Sequence, residues 1–380
     1  MTCSNAARSG RLSILKWART NGCPWDLNTC HLAALKGHLA CLQWARGQGC
    51  HWREQSCKMA ACGGNLEVLQ WARENKCPWN ADTCFGAARW GHLGIVQWAR
   101  ANGCPWDEWT CIGAAAGGHM GVLRSARMLC CSWDEETCAR AAEEGHLGVL
   151  QWLREQNCPW SENACLGAAQ RGQLEVMQWA RANDCPWGKR TSAAAAEGGH
   201  LNVLQWARAN GCPWDEYTCS EAGRQGYLGI ILWARANGCP WDEKTSNEAA
   251  GGGHSDVLKW IRANGCPWGR RTCAFAAYSG DLEVLQWLRA NRCPWDSDTC
   301  TFAAEQGHFS VLEWALSNGC PQTYGFAECH CKLVPLYRFA VKGCPYYSRE
   351  RRIMSRYYLL EVSARTPAHT TQLTHRLSWG

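Results

Sequence analysis

The stretch Gly199-His-Leu-Asn-Val-Leu-Gln-Trp-Ala-Arg-Ala-Asn-Gly-Cys-Pro-Trp-Asp-Glu216 decides the fold, because the chain repeats it. The position of its Cys212 is again Cys at Cys23, Cys50, Cys77, Cys104, Cys131, Cys158, Cys185, Cys239, Cys266, Cys293 and Cys320, always 27 residues apart. A fixed period of this length marks a stack of small supersecondary units, none of which can bury its apolar face alone.

Each unit reads Thr-Cys-x-x-Ala-Ala-x-x-Gly-His-Leu-x-Val-Leu-Gln-Trp-Ala-Arg-Ala-Asn-Gly-Cys-Pro-Trp-Asp-Glu-x. In the second copy Cys30, Ala33 and Ala34 fall at i, i+3 and i+4, a narrow apolar face on a short helix over residues 30–36. Thr29 is placed to cap it through its hydroxyl. Gly37 stops the helix. That position is Gly in all twelve copies, as expected of a backbone that needs φ > 0 and of a neighbour that approaches closely. A second helix is expected from Leu39 to about Gln48, with Cys41, Leu42 and Ala45 inward and Gly49 closing it. Cys50 and Trp52 then belong to a connector where most copies carry Pro, which forbids helix continuation. The reading is therefore all-α: about twelve helix-turn-helix units over residues 2–320, a degenerate repeat and capping helix over 321–362, and a disordered tail over 363–380.

Among 380 residues, Lys plus Arg number 39 and Asp plus Glu 33, and residues 321–380 hold 9 basic and 3 acidic side chains. The array is thus neutral, and the whole excess of +6 lies in the tail. The 28 Cys fall mainly into two columns, the marker column and a second one running from Cys3 to Cys300. Neighbours within a column stand about one helix-packing distance apart, roughly 8 to 10 Å, beyond the roughly 7 Å limit for a bridge. Pairing between columns is discounted because Cys185 and Cys239 persist where the second column becomes Ser192 and Ser246. The cysteines read as reduced, small core residues, which points to an intracellular, cytoplasmic protein. The opening residues lack the apolar run of a signal peptide, and no stretch approaches the length of a membrane span.

Gly199-His200-Leu201-Asn202-Val203-Leu204, followed by Gly211-Cys212, resembles the ankyrin repeat, whose second helix opens with Gly-His and ends with Gly-Ala. Thr-Cys-x-x-Ala-Ala stands where that family has Thr-Pro-Leu-His-x-Ala-Ala. The unit is shorter than the family's roughly 33 residues, and the deficit falls in the connector. The resemblance thus implies an ankyrin-like solenoid with fingers reduced to a tight Cys-Pro-Trp-Asp loop. This short version looks like arrays encoded by giant DNA viruses of amoebae and by some algae and oomycetes. It implies a scaffold that binds a protein partner, a host protein where the source is viral; a monomer is favoured, with the oligomeric state left open by the sequence. A leucine-rich repeat also permits 27 residues, but its Leu-x-x-Leu-x-Leu signature is missing.

Chemistry is sparse. No phosphate loop, dinucleotide fingerprint, His-Glu-x-x-His or Gly-x-Ser-x-Gly occurs, so neither an enzyme nor a cofactor is expected. The His column from His38 to His308 repeats without a carboxylate or nucleophile beside it and reads as a structural hydrogen bond between turns. Cys320, Cys329, His330, Cys331 and Cys344 are the best metal constellation, yet they lack the paired Cys-x-x-Cys knuckles of structural zinc. Two columns hold 22 of the 25 Trp, one from Trp17 to Trp314 on the second helix and one from Trp25 to Trp295 in the connector. They read as core rather than ligand platform, since each indole can bury about 150 to 250 Å². The Arg column from Arg19 to Arg289 favours the helix dipole, and a phosphate-tracking role is disfavoured by the acidic neighbours. Binding is expected where exposed aromatic and basic groups break the repeat, at Trp90, Trp109, Lys189, Arg190, Tyr217, Arg270, Arg271 and Tyr278. The alternative is nucleic-acid binding through the basic tail and the Lys189-Arg190 and Arg270-Arg271 connectors.

Overall fold

A computed structural model describes residues 2–26 and 28–321. Every regular element among them is a helix, and the 24 helices form twelve antiparallel pairs, from Cys3–Arg8 with Leu12–Thr20 to Ser297–Glu305 with Phe309–Ser317. These pairs, numbered here as repeats 1 to 12, fall into two compact units with the boundary between Pro240 and Trp241. Within each unit, first helices of successive repeats lie against one another far more extensively than second helices do. Alanine and cysteine on their facing sides permit that approach. No strand occurs among the described residues, so the connector is a bare loop. The expected degenerate repeat and tail, from residue 322 on, lie outside the described residues, as do Cys329, His330, Cys331 and Cys344 of the metal constellation.

The loops set both helix ends. In repeat 2 the chain leaves the first helix through Gly37 at φ +75°, with Gly37 N–H donating to Ala34 and His38 N–H to Ala33. It leaves the second through Gly49 at φ +81°, with Cys50 N–H donating back to Ala45. Each turn is a Schellman closure that satisfies carbonyls otherwise orphaned at a helix end. Initiation differs from the sequence reading. Thr caps only the first helix, where Thr2 accepts from the Asn5 amide. In four later repeats the residue after Trp takes that place: Asp134, Asp215, Asp242 and Asp296 accept from the amide two residues on. Thr29 lies inside its helix, Asn28–Leu35, and donates its hydroxyl to Asp26. The connector acid is the better cap because its charge also favours the helix N-terminus.

The sealed core is built from Cys, Ala, Val and Leu. Leu42, Leu69, Leu123, Leu150, Leu204, Leu258 and Leu285 are fully buried at one register of their second helices, with Val96, Met177 and Ile231 taking the place in repeats 4, 7 and 9, each stabilising the stack by about 1.5 to 3 kcal/mol. Nearly all described cysteines are buried, and all are free thiols. Their register, however, is not the one inferred from sequence. Each marker Cys faces the second-column residue 20 positions earlier, so Cys30 meets Cys50, while the two Ser positions, Ser192 and Ser246, meet Cys212 and Cys266. From repeat 3 onward the marker thiol also donates to the carbonyl that begins its own repeat, as from Cys104 to Asn80 at 3.5 Å and from Cys158 to Asp134 at 3.4 Å. That bond fastens the last residue of a repeat to its first helix.

The tryptophans are not sealed core, as expected from sequence, but a half-buried edge. Each connector indole except Trp106, which faces Ser125, meets the second-helix indole of the following repeat edge to face, as Trp52 does Trp71 at 5.5 Å and Trp79 does Trp98 at 5.8 Å. Trp17 is 62% exposed. The Arg column completes this edge. Arg73 lies 4.1 Å over the Trp79 ring and also donates to the Cys77 carbonyl, so the cation holds the loop as well as meeting the helix dipole.

Candidate binding surface

Among the variable positions of the repeat are the two that precede the positive-φ Gly at the end of each first helix. In repeats 4 to 9 they read Arg89-Trp90, Ala116-Gly117, Glu143-Glu144, Gln170-Arg171, Glu197-Gly198 and Arg224-Gln225. Because these helices pack side by side, the pairs make one row. Its floor is the next column, where His92 Nε2 meets the Cys62 carbonyl at 3.1 Å and Asn65 donates to the carbonyls of Ala34 and Leu35 at 2.9 Å. A carbonyl can only accept, so His92 carries its proton on Nε2. This is the structural bond expected of the His column. Burial pushes the imidazole of His119, in the same column, below its ordinary value.

Ion pairs knit the row. Arg171 meets Glu143 at 3.3 Å, Arg224 meets Glu197 at 2.7 Å, and Gln170 donates to Glu197 at 3.3 Å. Arg89 crosses a whole repeat to reach Glu144 at 2.9 Å. These side chains are partly exposed, so each pair stabilises the fold by at most about 1 kcal/mol and exchanges readily for an incoming group. Between them lies an open depression of about 530 Å³, lined by Glu143, Gln170, Arg171, Glu197, His200 and Tyr227 among others. It offers two carboxylates, a guanidinium, an amide, an imidazole and a phenol, a set suited to recognising polar side chains. A second shallow depression, of about 470 Å³, lies on the Trp–Arg edge between Arg73, Trp79, Trp98 and Asn102.

All eight residues singled out from sequence are exposed, but they do not gather on one ridge. Trp109, Lys189, Arg190, Tyr217, Arg270 and Arg271 sit in the first turn of first helices. Trp90 and Tyr278 sit at the opposite end, which for nine residues is about 13 Å away. Lys189, Arg190 and Tyr217 come together on the packed helices Lys189–Glu197 and Glu216–Gln225, where Lys189 lies 3.7 Å from Asp215. Tyr278 packs edge to face on Phe302 at 6.1 Å. Of the eight, only Trp90 belongs to the row in repeats 4 to 9. The acids and amides of the depression were missed because each is an ordinary surface residue in its own copy. Variation down one register position is the signal that finds them.

Among the described residues no three His, Cys, Asp or Glu converge as metal ligands, and no helix is long and apolar enough to cross a membrane. The chain is an α-helical repeat protein. Among solved structures it is similar to the human ASB11 ankyrin repeat domain, with 18% identity and a TM-score of 0.35 over 42% of this chain and 85% of that one. It is also similar to the pentatricopeptide repeat protein PPR10 in complex with an 18-nt psaJ RNA element, with 14% identity and a TM-score of 0.38, covering 83% of this chain but only 55% of that one. No family model and no curated protein sequence matches the chain.

Proposed function

We propose that the chain is a non-catalytic scaffold of the short ankyrin type that captures a protein partner on the row of first-helix ends, centred on the Glu143–Tyr227 depression. The observation that carries this reading is the depression itself, lined in repeats 6 to 9 by partly exposed side chains at two adjacent positions that vary over a near-constant framework. Repeat scaffolds place recognition where sequence varies without touching the core. The row presents both signs of charge in a fixed order, which favours a polar, mixed-charge protein surface over a polyanion. An intracellular setting suits its many buried free thiols.

The test is affinity capture with the full chain, comparing the native protein with Arg171→Glu and Glu197→Lys. Both changes lie at partly exposed helix ends and are expected to leave the helical circular dichroism signal intact. The expected outcome is loss of the captured protein in both variants. Retention in both refutes this placement.

The second reading, nucleic acid, rests on exposed Lys189, Arg190, Arg270 and Arg271 replacing connector acids. It predicts a steep loss of oligonucleotide affinity with salt that Arg190→Ala and Arg271→Ala each reduce.

A further inference from the structure

The two cysteine columns carry a chemistry that the binding row does not use. Repeats 1 to 7, 9, 11 and 12 have Cys at both positions, 20 residues apart, whereas repeats 8 and 10 have Ser192 and Ser246 at the earlier one. In repeat 2 the Cys30 thiol donates to the Cys50 sulfur at 3.1 Å, about 1 Å beyond the roughly 2.04 Å of a covalent bridge. Both residues are buried, at 0% and 1% exposure. The same register brings Ser192 Oγ to 3.4 Å from the Cys212 sulfur and Ser246 Oγ to 3.4 Å from the Cys266 sulfur. Each paired repeat therefore holds a dithiol that spans it from the first helix to the end of the second.

We propose that these dithiols are oxidation sites at which a low-molecular-weight disulfide converts a repeat into a form locked by a Cys–Cys bridge between residues i and i+20. One protein thiolate attacks the small disulfide, giving a mixed disulfide and releasing one small thiol. The second protein thiolate then displaces the other. Two protein S–H bonds are lost, one S–S bond forms, and the small disulfide leaves as two thiols carrying both protons and both electrons. Burial keeps the reagent out of the closed repeat, so reaction proceeds through local opening of single repeats, a motion available to stacks whose units contact only their neighbours. Reclosure returns the second sulfur to within reach of the mixed disulfide, and the bridge then ties both helices together.

The experiment uses the full chain, fully reduced, then incubated with oxidised glutathione in native buffer and at a denaturant concentration below the unfolding transition. Free thiols are alkylated and the bridges mapped by mass spectrometry. The expected bridges join cysteines 20 residues apart, Cys30 to Cys50 among them. Cys212 and Cys266 stay alkylatable, the reaction runs faster in the mild denaturant, and thermal unfolding of the bridged chain shifts upward until dithiothreitol reverses it. Ser192→Cys supplies the decisive variant, since it places a thiol against Cys212 and is expected to add one bridge there. Bridges at other spacings, stable glutathione adducts in place of bridges, or a folded Ser192→Cys chain that gains no link to Cys212 would each overturn the proposal.

Discussion

Gly64→Ala and Gly103→Ala form a matched pair that tests how the repeats are joined. Both glycines hold nearly the same backbone conformation, φ +76° and +77°, but a methyl group at Gly103 meets nothing within 4 Å, whereas at Gly64 it lies 2.7 Å from His92 Cε1. The left-handed conformation disfavours an L residue by about 1 to 2 kcal/mol, and the stiffer unfolded chain offsets about 0.4 to 1 of that. Gly103→Ala should therefore destabilise by about 1 kcal/mol. Gly64→Ala adds displacement of the His92 ring, which breaks its bond to the Cys62 carbonyl, at about 0.5 to 1.5 kcal/mol, and crowding at the interface, at about 1 to 3 kcal/mol. The expected total is about 4 kcal/mol. Because a stack can open piecewise, denaturant titration should be paired with amide exchange over repeats 3 and 4. His92→Ala in the Gly64→Ala background should recover part of the loss. Equal destabilisation by the two Gly variants would refute the claim that the imidazole forms the joint. The natural chain already agrees in one respect: the Gly103 position elsewhere holds Lys76, Cys130, Asn157, Asp184 and Arg292, all at positive φ, whereas the Gly64 position is never anything but Gly.

Further expectations concern single repeats. Ser125→Trp fills the one gap among the second-helix indoles of repeats 4 to 6, giving Trp106 an edge-to-face partner; it should stabilise by about 0.5 to 1.5 kcal/mol and blue-shift the fluorescence, and destabilisation would contradict the edge packing. Asp134→Ala removes the cap of Glu135–Glu143 and its bonds to the Glu136 and Thr137 amides, lowering stability by about 1 kcal/mol in thermal melts. His119 resists protonation when folded because burial disfavours its charged form, so the unfolded chain binds the extra proton. Its contribution is therefore complete above the unfolded pKa of about 6.5 and is lost as pH falls below it. Titrating stability from pH 7.5 to 5 should give a shallower acid loss in His119→Asn, and an unchanged slope would remove His119 from the account.

The period made most of the fold legible. Helix positions, the Gly stops and the small-residue core follow from one copy read twelve times, because stacking imposes the same environment on each. Two readings failed for a common reason: a column shows what recurs, not what it faces. Thr29 has the right hydroxyl for a cap, but Asp26 stands one turn earlier with a charge. Cys185 was set against Ser192 by proximity in sequence, whereas the hairpin brings Cys212 to that hydroxyl. The tryptophans were placed inside on size alone, yet Cys, Ala and Leu already fill the space between helices. The binding row stayed hidden because no single Glu, Gln or Arg on a helix end is unusual.

Arg89 reaches Glu144 over Ala116 and Gly117, neither of which has a side chain long enough to stand in the way. Copies that look interchangeable as building material are therefore not interchangeable as text. Excising or duplicating the intervening 27 residues would preserve helix packing and hydrogen-bonded turns but change the distance between these two charges. A chain that grows or shrinks by whole copies could thus acquire a new order of charges on its outer row while its interior registers no difference.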